Sequence, residues 1–269
     1  MLPKNLWYLR HGQSTRNLAG KRAYEKNGDS LFEQIINQPS SLATLSELGI
    51  EQAVKTGNWL RGHNIKFGRH YTSSHVRAKQ TAGLLDLPGV QWYVNNNIRE
   101  RSGGVMEDMT PAQRAEYLGK LRNRAHLLDL FNFRPDRGES FADIADIRWQ
   151  IFLSTLHREC CKMDAVLVVN HGDNMWAARS IHERWTPQDF ENNRGVEAHG
   201  KISNCALLHY TRINPKTGEE VPYLGWYRIC CPWKDPQPTA WTPIVRKRYN
   251  SSELLNQVQA AESKLKQVS

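Results

Sequence analysis

The stretch Leu6-Trp7-Tyr8-Leu9-Arg10-His11-Gly12-Gln13-Ser14 decides the reading of this chain. A short apolar run stops at a cation, an imidazole and a glycine, and a polar turn with Asn17 follows. That pattern predicts a buried strand whose carboxyl end opens into a loop. In open α/β sheets, ligands bind at the carboxyl ends of strands. A histidine placed there can be a nucleophile, and a neighbouring arginine can hold the anion it attacks. Taken alone, the stretch fits a hydrogen-bonded histidine at a strand end equally well.

A second stretch of the same design changes that balance. Ala165-Val166-Leu167-Val168-Val169-Asn170 is continuous and rich in β-branched residues, as a central parallel strand requires, and it also ends in histidine and glycine, His171-Gly172. If the two strands are neighbours, both imidazoles share one cleft.

The segments between supply the remaining parts. Residues 19–30 carry turn chemistry, and 31–36 read as a short helix. Ser46 is placed to cap a helix from Glu47 to Arg61, with Leu48, Ala53 and Leu60 on its apolar side and Gly62 closing it. After a strand over 70–73, Ser74 is expected to start a helix with Arg77 in its first turn, where free N–H groups favour a phosphate. Glu100 lies between Arg99 and Arg101, which should hold its carboxyl low; as a general acid it would need burial or a phosphate dianion. Glu107 is the spare acid of the same loop. Thr110-Pro111 opens a helix expected over 112–133. Ser140 caps another, running from Phe141 to Cys161, with Glu139 and Asp143 read as loop architecture. A helix over 174–185, a β-hairpin over 203–230, a proline-rich linker over 232–243 and a C-terminal helix from Ser251 complete the chain. Leu254, Val258, Ala261 and Leu265 recur at helical spacing in that last helix. It is expected to pack back on the domain, with a homodimer contact as the alternative.

Composition sets the bounds. The chain has 269 residues, 39% hydrophobic and 23% charged, with a net charge of +9, ordinary for a globular protein with acidic partners. No apolar run approaches the ~18 residues of a membrane helix. No signal-peptide core precedes the first strand, so a cytoplasmic address is expected and no membrane partner. Five cysteines without C-x-x-C spacing read as reduced, giving neither disulfides nor a zinc site. Without a zinc-finger, RNA-binding or P-loop signature, nucleic acid is not the expected partner.

In this order, the motifs resemble the histidine phosphatase superfamily, also called phosphoglycerate mutase-like. They are the opening Leu9-Arg10-His11-Gly12-Gln13-Ser14 with Asn17, the helix motif from Leu45 to Ala53, and the serine-rich turn Ser73-Ser74 leading to Arg77. Arg99-Glu100-Arg101, Gly138-Glu139-Ser140 with Asp143, and His171-Gly172 follow, so that the resemblance covers residues 5–211. Departures are Gln13 for glutamate, Ser46 for threonine and Asn170 for serine or threonine; none removes a reacting group. The resemblance implies a three-layer α/β/α sandwich on a mostly parallel sheet, with a phosphatase domain over 1–231 and the linker and helix over 232–269.

It also implies roles. His11 would attack phosphorus, Glu100 would act as general acid, and His171 would share in catalysis and phosphate binding with Arg10, Asn17, Arg77 and Gly172. Arg101 and Glu107 would form part of the substrate wall. No metal or other cofactor is implied. The expected function is hydrolysis of a small phosphorylated metabolite through phosphohistidine, in the phosphatase branch. The alternatives are a phosphoglycerate-type phosphomutase and an inactive member that binds protein or nucleic acid.

Overall fold

The computed structural model describes residues 1–25, 38–122, 129–195 and 202–268. Its centre is the pair of strands singled out above. The first, β1 (Asn5–Arg10), runs parallel to β4 (Ala165–Asn170) in a register that sets Arg10 beside Asn170. Beyond β4 lie β2 (Arg69–Ser73) and β3 (Tyr93–Asn95), both parallel. On the other side of β1 the sheet continues antiparallel through β5 (Leu207–Thr211), β6 (Trp226–Cys230) and β7 (Thr242–Pro243). The seven strands thus form a mixed sheet in the order β3-β2-β4-β1-β5-β6-β7: a parallel block extended by the hairpin foreseen over 203–230.

All of β4 is buried because helices cover both faces, and alternate side chains serve different layers. Leu6, Tyr8, Val166 and Val168 pack with Phe141, Trp149, Phe152 and Met175 on one face. Trp7, Leu9, Leu167 and Val169 pack with Ala53, Leu60, Ala78 and Ala82 on the other. This is the three-layer sandwich.

The helices follow their caps with several differences. Thr15–Glu25 forms α1 where turn chemistry was expected: Ser14 and Asn17 exchange backbone-to-side-chain hydrogen bonds of 3.2 and 3.1 Å, and Ala19 and Ala23 are buried. The short helix foreseen at 31–36 lies outside the described residues. In α2 (Glu47–Gly62), Ser46 accepts from the Gly49 amide as expected, but Leu48 is 39% exposed while Ala53 and Leu60 are buried. The loop after His11 presses on this helix; a Cβ at Gly49 would sit 2.0 Å from the Gln13 carbonyl oxygen. Helix α3 (Val76–Leu84) begins after His75, and Ser74 does not cap it, because its hydroxyl donates instead to Asn96 Oδ1 at 2.8 Å.

Helix α4 (Pro111–Arg122) starts at the foreseen proline; residues 123–128 fall outside the description, and Asp129 organises a turn beyond them instead of more helix. Ser140 and Asp143 make a reciprocal capping box. The helix they start passes through a π-helical stretch, Ile144–Trp149, into α5 (Gln150–Cys160). Helices α6 (Gly172–His182) and α7 (Pro187–Gly195) follow β4, α6 starting directly after His171.

The segment 232–243 is no free linker. Trp233 Nε1 donates to the Asn204 carbonyl at 2.7 Å, Trp59 Nε1 donates to that of Pro236 at 2.9 Å, and β7 pairs with β6. Further anchors are the Lys247–Asp189 ion pair at 2.6 Å and Arg246 stacked on Tyr223. Past them comes α8 (Ser251–Val268), and of the apolar stripe expected to pack back, the described Leu254 and Val258 are instead 50% and 53% exposed, as is Leu255 at 64%. All five cysteines are free.

Candidate active site

Because β1 and β4 are adjacent and parallel, His11 and His171 leave the sheet at the same edge, with ring centroids 5.0 Å apart. Both are buried, yet they are held by different nitrogens. His11 places Nδ1 at 2.7 Å from the Gly12 carbonyl, so that nitrogen carries the proton and Nε2 keeps its lone pair. Arg77 Nε donates to Nε2 at 3.1 Å, and its Nη1 donates to the Ser40 carbonyl. His171 places Nε2 at 2.7 Å from Ser73 Oγ, while its Nδ1 is buried without a partner.

Arg10 repeats the theme. One guanidinium nitrogen donates to the Ile202 carbonyl, while Nε is buried and unpartnered. Gly172 makes room for this side chain, since a Cβ there would lie 3.2 Å from Arg10 Nε. Buried polar atoms left without partners are rare and ask for a ligand; two of them on cationic or imidazole groups ask for an anion.

Burial and the neighbouring Arg77 and Arg10 push the His11 imidazole well below its ordinary range, and burial with Arg77 and His11 does the same to His171. Both rings are therefore neutral at and somewhat below neutral pH.

Glu100 accepts from the Arg101 amide at 3.0 Å and lies 3.9 Å from His171 Nδ1. The expectation that its flanking arginines hold the carboxyl low is overturned. Arg99 turns to Glu139 at 2.7 Å and Arg101 to Asp173 at 2.8 Å, so neither guanidinium meets it. Burial, aided by Asp173, raises Glu100 above the usual carboxylate range against the pull of Arg77 and Arg10. Glu107 stands apart: its carboxylate accepts from the Gly103 amide at 2.8 Å and braces the loop.

Asn17 lines the cavity with its Oδ1 held by the Ser14 amide and, at 3.4 Å, by Asn204, which also donates to the His11 carbonyl at 2.9 Å. Arg101 and Glu107 both reach the cavity wall. This cavity has a volume of about 400 Å³, and among the described residues Arg16, Lys21, Arg77, Arg101 and Arg114 line it with Glu100 and Glu107.

Several contributors carried no sequence signal. Ser73 was only one member of a serine-rich turn, and Asn204 preceded a strand with no motif. Arg148 reaches inward from the π-helical stretch to Glu139 at 2.9 Å and to the Arg99 and Asn97 carbonyls, fixing the acid loop. His75 sits 4.9 Å from the His171 ring and is pushed down to about 4 by burial and Arg77.

His11, Glu100 and His171 bring donor atoms within 4.8 Å of one another, a spacing that a metal could also use. Arg77 already donates to the His11 lone pair, and Arg10 adds a second guanidinium, so the local field favours an anion over a cation.

Residues 6–210 match the model of the histidine phosphatase superfamily, branch 1. The chain belongs to this superfamily. Among its curated relatives, the 6-phosphofructo-2-kinase/fructose-2,6-bisphosphatase of Aquarana catesbeiana is 27% identical over 225 residues, covering 82% of this chain and 35% of that protein. The mouse 6-phosphofructo-2-kinase/fructose-2,6-bisphosphatase 1 is 30% identical over 172 residues, 63% of this chain and 30% of the relative. The chain thus spans about a third of the length of these relatives. The fold is shared with a putative alpha-ribazole-5'-P phosphatase from Escherichia coli, at TM-score 0.60 and 20% identity, covering 82% of this chain and 96% of that one. A mycobacterial glucosyl-3-phosphoglycerate phosphatase in complex with VO3 superposes at TM-score 0.59 and 22% identity, covering 77% and 92%.

Proposed function

We propose that this superfamily member is a phosphomonoesterase that hydrolyses a small phosphorylated metabolite through a phosphohistidine on His11, without a metal. The observation that carries this reading is the grouping of two unpartnered buried atoms, Arg10 Nε and His171 Nδ1, around the His11–Arg77 pair.

In the first step the lone pair of His11 Nε2 attacks phosphorus, the bond to the leaving oxygen breaks, and Glu100 gives that oxygen its proton. Arg77 exchanges its bond to Nε2 for one to a phosphoryl oxygen. Arg10 and His171 take the other oxygens, with Gly172 leaving room for Arg10 and Asn17 at the wall. The Ser73 hydroxyl, donating to His171 Nε2, puts the proton of that ring on Nδ1, where an oxyanion can accept it. In the second step the Glu100 carboxylate takes a proton from water, the oxygen attacks phosphorus, and the N–P bond breaks. Phosphate leaves and both groups return to their starting states.

The excess of cations in the cavity favours a substrate with more than one negative charge, and the name of the curated relatives puts sugar phosphates first in a substrate screen. Free cysteines fit a cytoplasmic address.

The test is a panel of sugar phosphates, glycerate phosphates, nucleotides and phosphoamino acids, scored for free phosphate with wild type and His11→Ala. Release by wild type and at least a ~10³-fold loss in the variant are expected. Isomerised product with little phosphate would replace this reading by a mutase. Salt-sensitive nucleic-acid binding without turnover would replace it by a binding module.

A further inference from the structure

The electrostatics of Glu100 depend on where its own neighbour goes. Arg101 donates its amide to the Glu100 carboxylate, and both side chains line the same cavity, so its long guanidinium arm is within easy range of that acid. It is held elsewhere by three contacts: Nε to Asp173 Oδ2 at 2.8 Å, Nη1 to the Glu139 carbonyl at 3.1 Å, and stacking on Phe141 at 4.7 Å. Asp173 uses its other oxygen on Arg194 at 3.1 Å, and Arg194 also stacks on Phe141, at 4.2 Å. Asp173 stands two residues after His171, in the first turn of α6, so the clamp and the second imidazole ride on one turn of chain.

We propose that Asp173 is a positioning residue, one that keeps Arg101 engaged and so leaves the Glu100 carboxyl facing His171 instead of its own neighbour. The inference rests on Glu100 acting as the general acid. An arginine fork against a carboxylate holds that carboxylate ionised and unable to donate. The chain places such a fork next to its acid and then diverts it. The other charged or titratable groups that face Glu100 are Arg10 and His11 from the end of β1, Arg77 from α3, His171 after β4, Arg148 from the π-helical stretch and Arg194 from α7. Arg194 shares the Asp173 carboxylate with Arg101, while Arg10, Arg77 and Arg148 are held by other partners.

The experiment follows the alkaline limb of kcat/KM for an alkyl phosphomonoester, where the leaving oxygen needs a proton. Asp173→Asn frees Arg101 and removes a negative charge, and its limb is expected to move to lower pH by on the order of one unit. Adding Arg101→Gln to that variant is expected to recover the part of the shift that the freed guanidinium causes, leaving the part due to the lost Asp173 charge, and to move the limb by more than Arg101→Gln does in wild type. Equal shifts in the two backgrounds, or a fall in rate with the limb unmoved, overturn the proposal. Arg101→Lys decides the matter if Asp173→Asn fails to fold. Lysine keeps the charge but cannot hold the fork, the carbonyl and the ring together, so an acidward limb is expected and one superimposed on wild type sinks the idea. Glu100→Gln separates this from the parent reading: a limb that persists without Glu100 refutes the general acid itself.

Discussion

The two strand-to-histidine junctions share one plan in sequence, a buried strand that stops at histidine and glycine. Each strand is buried, each ends in His-Gly, and register sets Arg10 opposite Asn170. Their imidazoles are nevertheless held through different nitrogens. At His11 the backbone of Gly12 takes Nδ1, leaving the Nε2 lone pair with Arg77. At His171 the Ser73 hydroxyl takes Nε2 and Nδ1 is left bare. On the proposed reading, one junction gives an electron pair and the other a hydrogen bond. The difference lies in what occupies the inner nitrogen, not in the motif, so a second histidine on a neighbouring strand adds a function instead of duplicating one.

The sharpest way to break this comparison is to exchange the rings for a neutral amide. His11→Asn is expected to abolish acid-labile phosphoenzyme, because no lone pair remains to form it. His171→Asn should still form phosphoenzyme, at a rate lower by ~10²–10³-fold, the usual loss when one donor to a developing oxyanion goes. Rapid-quench trapping of labelled protein measures both. Equal loss of phosphoenzyme in the two variants would mean that the two nitrogens have no separate roles.

A smaller effect is expected one step back. Ser73→Ala removes the partner of His171 Nε2 and with it the bias that puts the ring proton on Nδ1. The rate should fall by roughly 10-fold, a modest share of the ~10²–10³-fold carried by a whole donor. Ser73→Thr, which keeps the hydroxyl, should restore most of it, with substrate affinity little changed. A Ser73→Ala enzyme as active as wild type would show that the tautomer is set elsewhere.

Both junctions were legible because each compresses a buried strand, a sharp stop and a reacting group into a few consecutive residues. The caps at Ser46 and Ser140 were legible for the same reason: their partners lie three residues away. What failed depended on contacts across long stretches of chain. Arg99 and Arg101 flank Glu100 in sequence, but their guanidiniums go to Glu139 and Asp173, 40 and 72 positions away, so local charge counting gave the wrong sign. The helix Thr15–Glu25 has no apolar period to betray it, since small buried alanines make its contact. The apolar spacing of Leu254 and Val258 was visible, but spacing cannot say whether a partner face exists.

The same two histidines should become indistinguishable when stability replaces activity as the readout. Both are held neutral in the folded chain by burial and nearby cations, with ionisation pushed well below the unfolded value near 6.5. Below about pH 6.5 the unfolded chain therefore takes up protons that the folded chain refuses. The stability each site lends is complete above that pH and is lost as pH falls, at up to ~1.36 kcal/mol per pH unit per histidine, until the folded ring itself protonates. Replacing either residue by asparagine removes one such proton from the difference. Urea unfolding between about pH 5 and about pH 6 should thus show a slope shallower by roughly 1 kcal/mol per pH unit in His11→Asn and in His171→Asn alike. A shallower slope in only one of them would mean that the other ring is already charged in the folded protein. That ring would then be a proton donor by charge, not by tautomer.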